Sequence, residues 1–222
     1  MKAAILKEFG KPLAIEEIAD PVLGTGEVIV DVVATSVLPY MAEVLSGQRK
    51  YMMTLPMAPG AGAVGRIRAV GPDSTRLKIG EWVLCDPTVR SRDDARTPDI
   101  TLQGLSARGE GGLKLQEYYH HGAWAQQMLM PTENVFSLGE IEPADAVKWC
   151  MLARYLVPYG GLLAIDFKPG GNASGQRFDR QFRRRVRGRG AGHGRRLRGR
   201  AGGAMKRRWN RWNAVSARAC AR

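Results

Sequence analysis

Apolar and polar residues alternate along much of the first 140 positions, the two-residue period of half-buried strands. The pattern predicts strands over residues 2–9 and 13–18, with Gly10-Lys11-Pro12 as the turn between them. Residues 27–36 carry Val28, Ile29, Val30, Val32 and Val33, a β-branched run suited to a central strand. Residues 40–45 read as one short helix, opened by Pro39 and ended at Gly47. Residues 65–70 alternate basic and apolar side chains and are turned by Gly71-Pro72-Asp73. Another strand covers 80–86, with Trp82 and Leu84 on one face and Val83 and Cys85 on the other. Strand character returns over 123–130 and 134–138. Residues 141–157 switch period, with Ala146, Trp149, Cys150, Ala153 and Leu156 at helical spacing. Many short strands with frequent turns predict a mainly β fold, a small barrel or sandwich.

Two segments break the alternation. Residues 87–122 hold Pro87, Pro98, many charges and five glycines from Gly104 to Gly122, and they read as a long irregular excursion. Residues 171–222 differ in kind. The chain has 34 Lys+Arg, 21 Asp+Glu and a net charge of +13. Residues 171–222 hold 17 of the basic residues and one acid, Asp179; residues 1–170 keep 17 basic and 20 acidic. Only Phe178, Phe182, Val186, Leu197 and Val215 come from the Leu/Ile/Val/Phe set in that tail. Such a segment buries too little to offset its ordering entropy, so the sequence predicts a disordered tail.

Several classes fall away. No run of 18 apolar residues exists, so no transmembrane helix is expected. The first ten residues contain Lys2, Lys7 and Glu8 and do not read as a signal peptide. Cys85, Cys150 and Cys220 are too far apart for a disulfide framework or a close-spaced zinc knuckle, and a cytoplasmic location is the default.

Three local signals have plain structural readings. Gly60-Ala61-Gly62-Ala63-Val64-Gly65 spells G-x-G-x-x-G, but two prolines precede it and an alternating segment follows. A phosphate loop needs a strand before and a helix after, so these glycines are read as sites of tight packing. His120-His121 would point to opposite faces of a strand and is read as a surface or loop pair rather than a metal site. Arg90, Arg92, Asp93, Asp94 and Arg96 read as a solvated mixed-charge loop.

The opening Met1 to Gly10, the Pro21 to Glu27 turn, and the valine strand resemble the start of the medium-chain dehydrogenase/reductase superfamily. The block from Pro59 to Gly71, followed by Leu77-Lys-Ile-Gly-Glu-Trp-Val-Leu84, resembles that superfamily's most characteristic stretch, and Lys168-Pro169-Gly170 its approach to the cofactor domain. The resemblance covers roughly residues 1–170. It implies a GroES-like β-barrel catalytic domain over 1–140 and a connecting helix and the start of a cofactor domain over 141–170. A Rossmann domain binding NAD(P) would follow, with hydride passing to a small-molecule carbonyl, enone or quinone. It leaves a homo-oligomer open.

Many members carry a catalytic zinc. Leu38-Pro39 stands where zinc members have Cys-His, and Gly60-Ala61-Gly62 where they have Gly-His-Glu. Leucine and alanine have no donor atoms, so no zinc is expected, and the zinc-lacking, quinone-oxidoreductase-like branch is the closer comparison. The resemblance then places Leu38, Tyr40 and Ala61 at the substrate pocket. Tyr40, two residues beyond the lost ligand, carries the nearest hydrogen-bond donor and is the candidate catalytic residue.

The tail begins where the cofactor-binding strand would. Arg187-Gly-Arg-Gly190, Arg198-Gly-Arg200 and Lys206-Arg-Arg-Trp-Asn-Arg-Trp212 suit non-specific polyanion or nucleic-acid binding, with Trp209 and Trp212 able to stack on bases. The other reading is a shifted frame. One base later, Arg and Gly codons both yield codons starting with G, which encode Gly, Ala, Val, Asp or Glu. Over residues 172–183 the permitted codons allow Thr-Leu-Leu-Val-Ser-Gly-Ser-Thr-Gly-Asn-Phe-Gly, an apolar strand and a glycine loop. Met205-Lys206 forces a stop in that frame, so a second slip would be needed further on. The expectation is therefore a zinc-independent oxidoreductase by lineage, truncated or frame-shifted over 171–222 and inactive alone. A barrel with a nucleic-acid-binding tail, and a barrel serving only as an interaction module, remain the alternatives.

Overall fold

The structure, a computed structural model, describes residues 1–94, 96–155 and 159. All of them lie in one compact unit, Met1–Ala164. The tail readings for 171–222, and Leu156 of the predicted helix, fall outside the described residues.

The chain opens with a hairpin of β1 (Lys2–Ile5) and β2 (Ala14–Glu17). The valine run forms β3 (Glu27–Thr35), and the short helix is α1 (Met41–Leu45). Then come β4 (Ala63–Val70) and β5 (Trp82–Cys85). After the 87–122 segment, β9 (Gln127–Pro131) and β10 (Val135–Ser137) complete a five-stranded antiparallel sheet of order β10-β5-β4-β3-β9. The hairpin is stitched to this sheet by an Ala3–Ala125 bridge and by the Ala4 N–H donating to the Trp124 carbonyl.

Side-chain alternation in β5 divides the core as the sequence predicts. Val83 and Cys85 pack with Val28, Val30, Ile67 and Met128 on one face. Trp82 and Leu84 pack with Val64, Ala146 and Cys150 on the other, beneath α3 (Ala146–Trp149). The helical stretch resumes over residues 152–155 after a turn at 150–151.

The excursion is not irregular, which corrects the sequence reading. It folds as a three-stranded sheet of β6 (Thr88–Arg90), β7 (Ile100–Leu102) and β8 (Ser106–Arg108), with α2 (Gly109–Tyr118) laid against β7 and β8. Gly109, Gly111 and Gly112 hide this helix, because glycine is a poor helix former. A Cβ on Gly112 would collide with the Ile100 carbonyl, so close packing of helix on strand requires the glycine. Polar ties fasten this lobe to the main sheet. Arg92 donates through Nε and Nη2 to the two Glu133 carboxylate oxygens at 2.7 and 2.8 Å, and through Nη2 to the Gly26 carbonyl at 2.7 Å. The mixed-charge run is thus partly a clamp rather than wholly a solvated loop. Buried Glu27 accepts from the Gly24 N–H at 2.7 Å and from the Tyr119 hydroxyl at 3.1 Å.

Candidate functional site

The three pocket residues marked in the sequence meet in one place. Leu38 and Tyr40 lie just before α1, and Ala61 lies in the turn that enters β4. All three pack, half-buried, against a core of Met41, Val44 and Leu105. Tyr51, Met53, Leu102 and Trp124 join the same cluster. These four come from three segments, 51–53, 102 and 124, and carry no motif, so only the tertiary fold could reveal them. The result is an apolar, aromatic wall that is incompletely covered.

Tyr40 brings a hydroxyl to that wall, as does Tyr51 beside it. The Arg49 guanidinium carbon stands 4.0 Å from its ring centre, a cation–π contact. Arg49 Nε also donates to Glu43 Oε2 at 2.9 Å, and Nη1 to the Tyr51 hydroxyl at 3.4 Å. Burial, with the neighbouring Tyr51, raises the Tyr40 phenol above its ordinary value, while Arg49 opposes the shift. The hydroxyl therefore stays protonated near neutral pH and can donate a hydrogen bond.

Leu38 and Ala61 present no ligand atom at this wall. Among the described residues no group of three or more His, Cys, Asp or Glu could hold a metal ion. The donor set does not fit a catalytic zinc there.

The G-x-G-x-x-G glycines do not form a phosphate loop, since the segment runs straight into β4. Gly60 instead sits in a three-way backbone junction. Its N–H donates to Gly104 O at 2.9 Å, and its carbonyl accepts from the Ala123 N–H at 2.9 Å. The described residues thus supply no dinucleotide fingerprint.

His120 and His121 both turn to the 56–58 segment. His120 Nε2 lies 2.7 Å from the Pro56 carbonyl, and His121 Nδ1 accepts from the Ala58 N–H at 3.2 Å. They follow α2 rather than sit in a strand, so their rings meet edge to face, 4.7 Å apart, instead of pointing to opposite sides. Burial chiefly, with His120 second, lowers the His121 pKa to about 4.

The alcohol dehydrogenase GroES-like domain family matches residues 24–140, more than half the chain, and the protein belongs to that family. An alcohol dehydrogenase of Rhizobium meliloti (strain 1021) is 39% identical over 183 residues, covering 77% of this chain and 48% of the relative. Human quinone oxidoreductase is 32% identical over 92 residues, covering 40% of this chain and 28% of the relative. The crystal structure of the alcohol dehydrogenase from Aeropyrum pernix superposes with a TM-score of 0.57 at 25% identity, over 69% of this chain and 44% of that one. The chain thus spans about half or less of the relatives it matches. No described helix is long and apolar enough to cross a membrane.

Proposed function

We propose that residues 1–170 are the substrate-binding half of a zinc-independent, NAD(P)-dependent oxidoreductase that reduces a small carbonyl, enone or quinone. The observation that supports this is that Leu38 and Ala61, side chains without ligand atoms, share one aromatic wall with Tyr40. Such a wall suits a flat, apolar substrate. Without a metal to polarise the substrate oxygen, the Tyr40 hydroxyl is the group that does so, as a neutral hydrogen-bond donor. Arg49 holds the ring in place from the solvent side. The nicotinamide, when bound, supplies the hydride. The similarity to human quinone oxidoreductase favours the same substrate class.

We propose further that the chain as written performs no hydride transfer. Residues 171–200 alternate arginine with glycine and contain no apolar run of four residues from which to build a cofactor-binding strand. Cofactor-fluorescence titration with NADPH at two salt concentrations tests this, beside a version of the chain with the alternative frame restored after Gly170. The expected outcome is weak, salt-sensitive binding by the chain as written and saturable binding by the restored version. Saturable, salt-insensitive micromolar binding by the chain as written would overturn this proposal. Tight, salt-dependent binding of an oligonucleotide, with none of NADPH by either version, would favour the nucleic-acid-binding alternative.

A further inference from the structure

Two hydroxyls, not one, reach the wall around Leu38 and Ala61. Tyr40 precedes α1 and Tyr51 follows it, and both are half-buried against the same core. One side chain ties them together. The Arg49 guanidinium carbon lies 4.0 Å from the Tyr40 ring centre, and its Nη1 donates to the Tyr51 hydroxyl oxygen at 3.4 Å. Tyr51 also stands near enough to act on the Tyr40 phenol through charge and a hydrogen bond. The two phenol oxygens thus share one part of the wall.

The cation meets the two tyrosines differently. It covers the π-face of Tyr40, where it orients the ring and leaves the oxygen free of it. At Tyr51 it fills an acceptor position on the oxygen itself. A hydroxyl whose oxygen accepts from a cation is polarised and donates its own hydrogen more strongly. Arg49 Nε is paired with Glu43 Oε2 at 2.9 Å, so the guanidinium charge is largely balanced. The wall therefore selects an oxygen by hydrogen bonding rather than by a bare charge.

Hydride addition to a quinone or an enone leaves a negative charge on its oxygen, in the plane of a flat conjugated system. Such an oxygen has lone pairs for more than one donor, and fixed donors aimed at it stabilise the charge as it develops.

We propose that Tyr51 is a second hydrogen-bond donor to the substrate oxygen, acting beside Tyr40, so that the two phenols cradle a flat ring oxygen that takes negative charge. The proposal rests on the oxidoreductase reading of this wall. Tyr51 touches the substrate; Arg49 is a positioning residue that acts through the two tyrosines. The substrate ring lies against Trp124 and Met53, which belong to the same cluster.

The probe is 4-nitrophenol, titrated into the full chain at a pH where it is ionised, its phenolate standing in for the charged oxygen. 4-Nitroanisole, the same ring with a neutral methylated oxygen, is the comparison. Both are followed by NMR at the Trp124 ring, in high salt that screens attraction of an anion to the chain's net charge of +13. Saturable phenolate binding is expected, with half-saturation at about 1 mM or below. Tyr51→Phe keeps the ring in the wall and loses only the contacts of the hydroxyl, so the melting temperature should hold. It should weaken phenolate binding about tenfold and nitroanisole binding less than about twofold. Tyr40→Phe should weaken phenolate binding by a similar factor. Unchanged phenolate affinity in Tyr51→Phe, with a loss in Tyr40→Phe, would overturn the role of Tyr51 and leave the reading of Tyr40 standing. Equal weakening of both probes in Tyr51→Phe would make Tyr51 a packing group and overturn the inference as well. No saturable phenolate binding by the wild type, or unchanged affinity in both variants, would overturn the reading of the wall and the inference with it.

Discussion

Arg49 lies over the ring of Tyr40, its guanidinium carbon 4.0 Å from the ring centre, and the same side chain reaches the Tyr51 hydroxyl. The cation opposes the effects of burial and of Tyr51 on the Tyr40 phenol. Arg49→Met removes the charge and leaves the burial. The Tyr40 phenol should then titrate at still higher pH, followed by its ring resonances as pH is raised. Tyr51→Phe should move it the other way. A fall or no change in Arg49→Met would show that the stacking contact is not kept in solution.

The wall's chemistry predicts metal content. With Leu38 and Ala61 offering no donor atoms at this wall, the purified chain should contain no stoichiometric zinc by elemental analysis. About one zinc per chain would overturn the zinc-independent proposal.

Glycines at the Gly60 junction provide a stability test. A Cβ on Gly104 would collide with the Gly60 carbonyl, and the next obstruction is the Gly122 Cα at 2.6 Å. Both are backbone atoms, so neither can swing away. Gly104 also has φ +73°, where a side chain is strained in its own right. Gly104→Ala should cost about 3 kcal/mol or more in urea denaturation, the sum of strain and a clash that cannot relax. Gly80 has φ +85° with nothing within 4 Å, so Gly80→Ala isolates the backbone strain, about 1 kcal/mol. Equal losses at the two positions would mean that the junction is looser than described.

Buried Glu27 makes a second case. It joins β3 to the end of α2 through the Tyr119 hydroxyl and caps the Gly24 N–H. Glu27→Gln replaces an acceptor by an NH2 on one side and should destabilise by about 1–3 kcal/mol. Tyr119→Phe loses one bond but leaves the carboxylate with the Gly24 contact, and should cost less. The reverse order would remove Glu27 as the anchor of the lobe.

The strands of the main sheet were legible because their alternation is set by burial on two faces. Trp82 and Leu84 against Val83 and Cys85 is the clearest instance, and the structure sends each pair to its own core. The lobe over 87–122 was not legible. Its strands are three residues each, too short to show a period, and its helix begins with glycines selected by contact with Ile100 and Asp99 rather than by helix propensity. At the candidate site, Leu38, Tyr40 and Ala61 could be marked from a familiar spacing. Tyr51 and Met53, in an irregular stretch after α1, and Trp124, far along the chain, could not, because no motif ties them to the wall. Arg92 looked like one charge among many, and its role depends on Glu133 and Gly26, which no sequence pattern links to it.

His121 sets a pH dependence. Burial and the adjacent His120 lower its pKa from 6.5 to about 4. Below 6.5 the unfolded chain binds a proton that the folded chain does not, so unfolding takes up protons and stability rises with pH across this window. The stabilisation is therefore present above pH 6.5 and is lost as pH falls toward 4. Partial solvent access screens the effect, which leaves a loss on the order of 1–2 kcal/mol between pH 7 and pH 4. Asp20 and Glu133, with lowered pKa values from the amino terminus and from Arg92, contribute in the same direction at lower pH. The comparison is thus urea denaturation of the wild type and His121→Gln at pH 7, 5.5 and 4.5. Gln can accept the Ala58 N–H but does not titrate. The variant should be less stable than the wild type at pH 7, and the gap should narrow as pH falls. A gap that stays constant from pH 7 to 4.5 would show that His121 keeps its ordinary pKa in the folded chain.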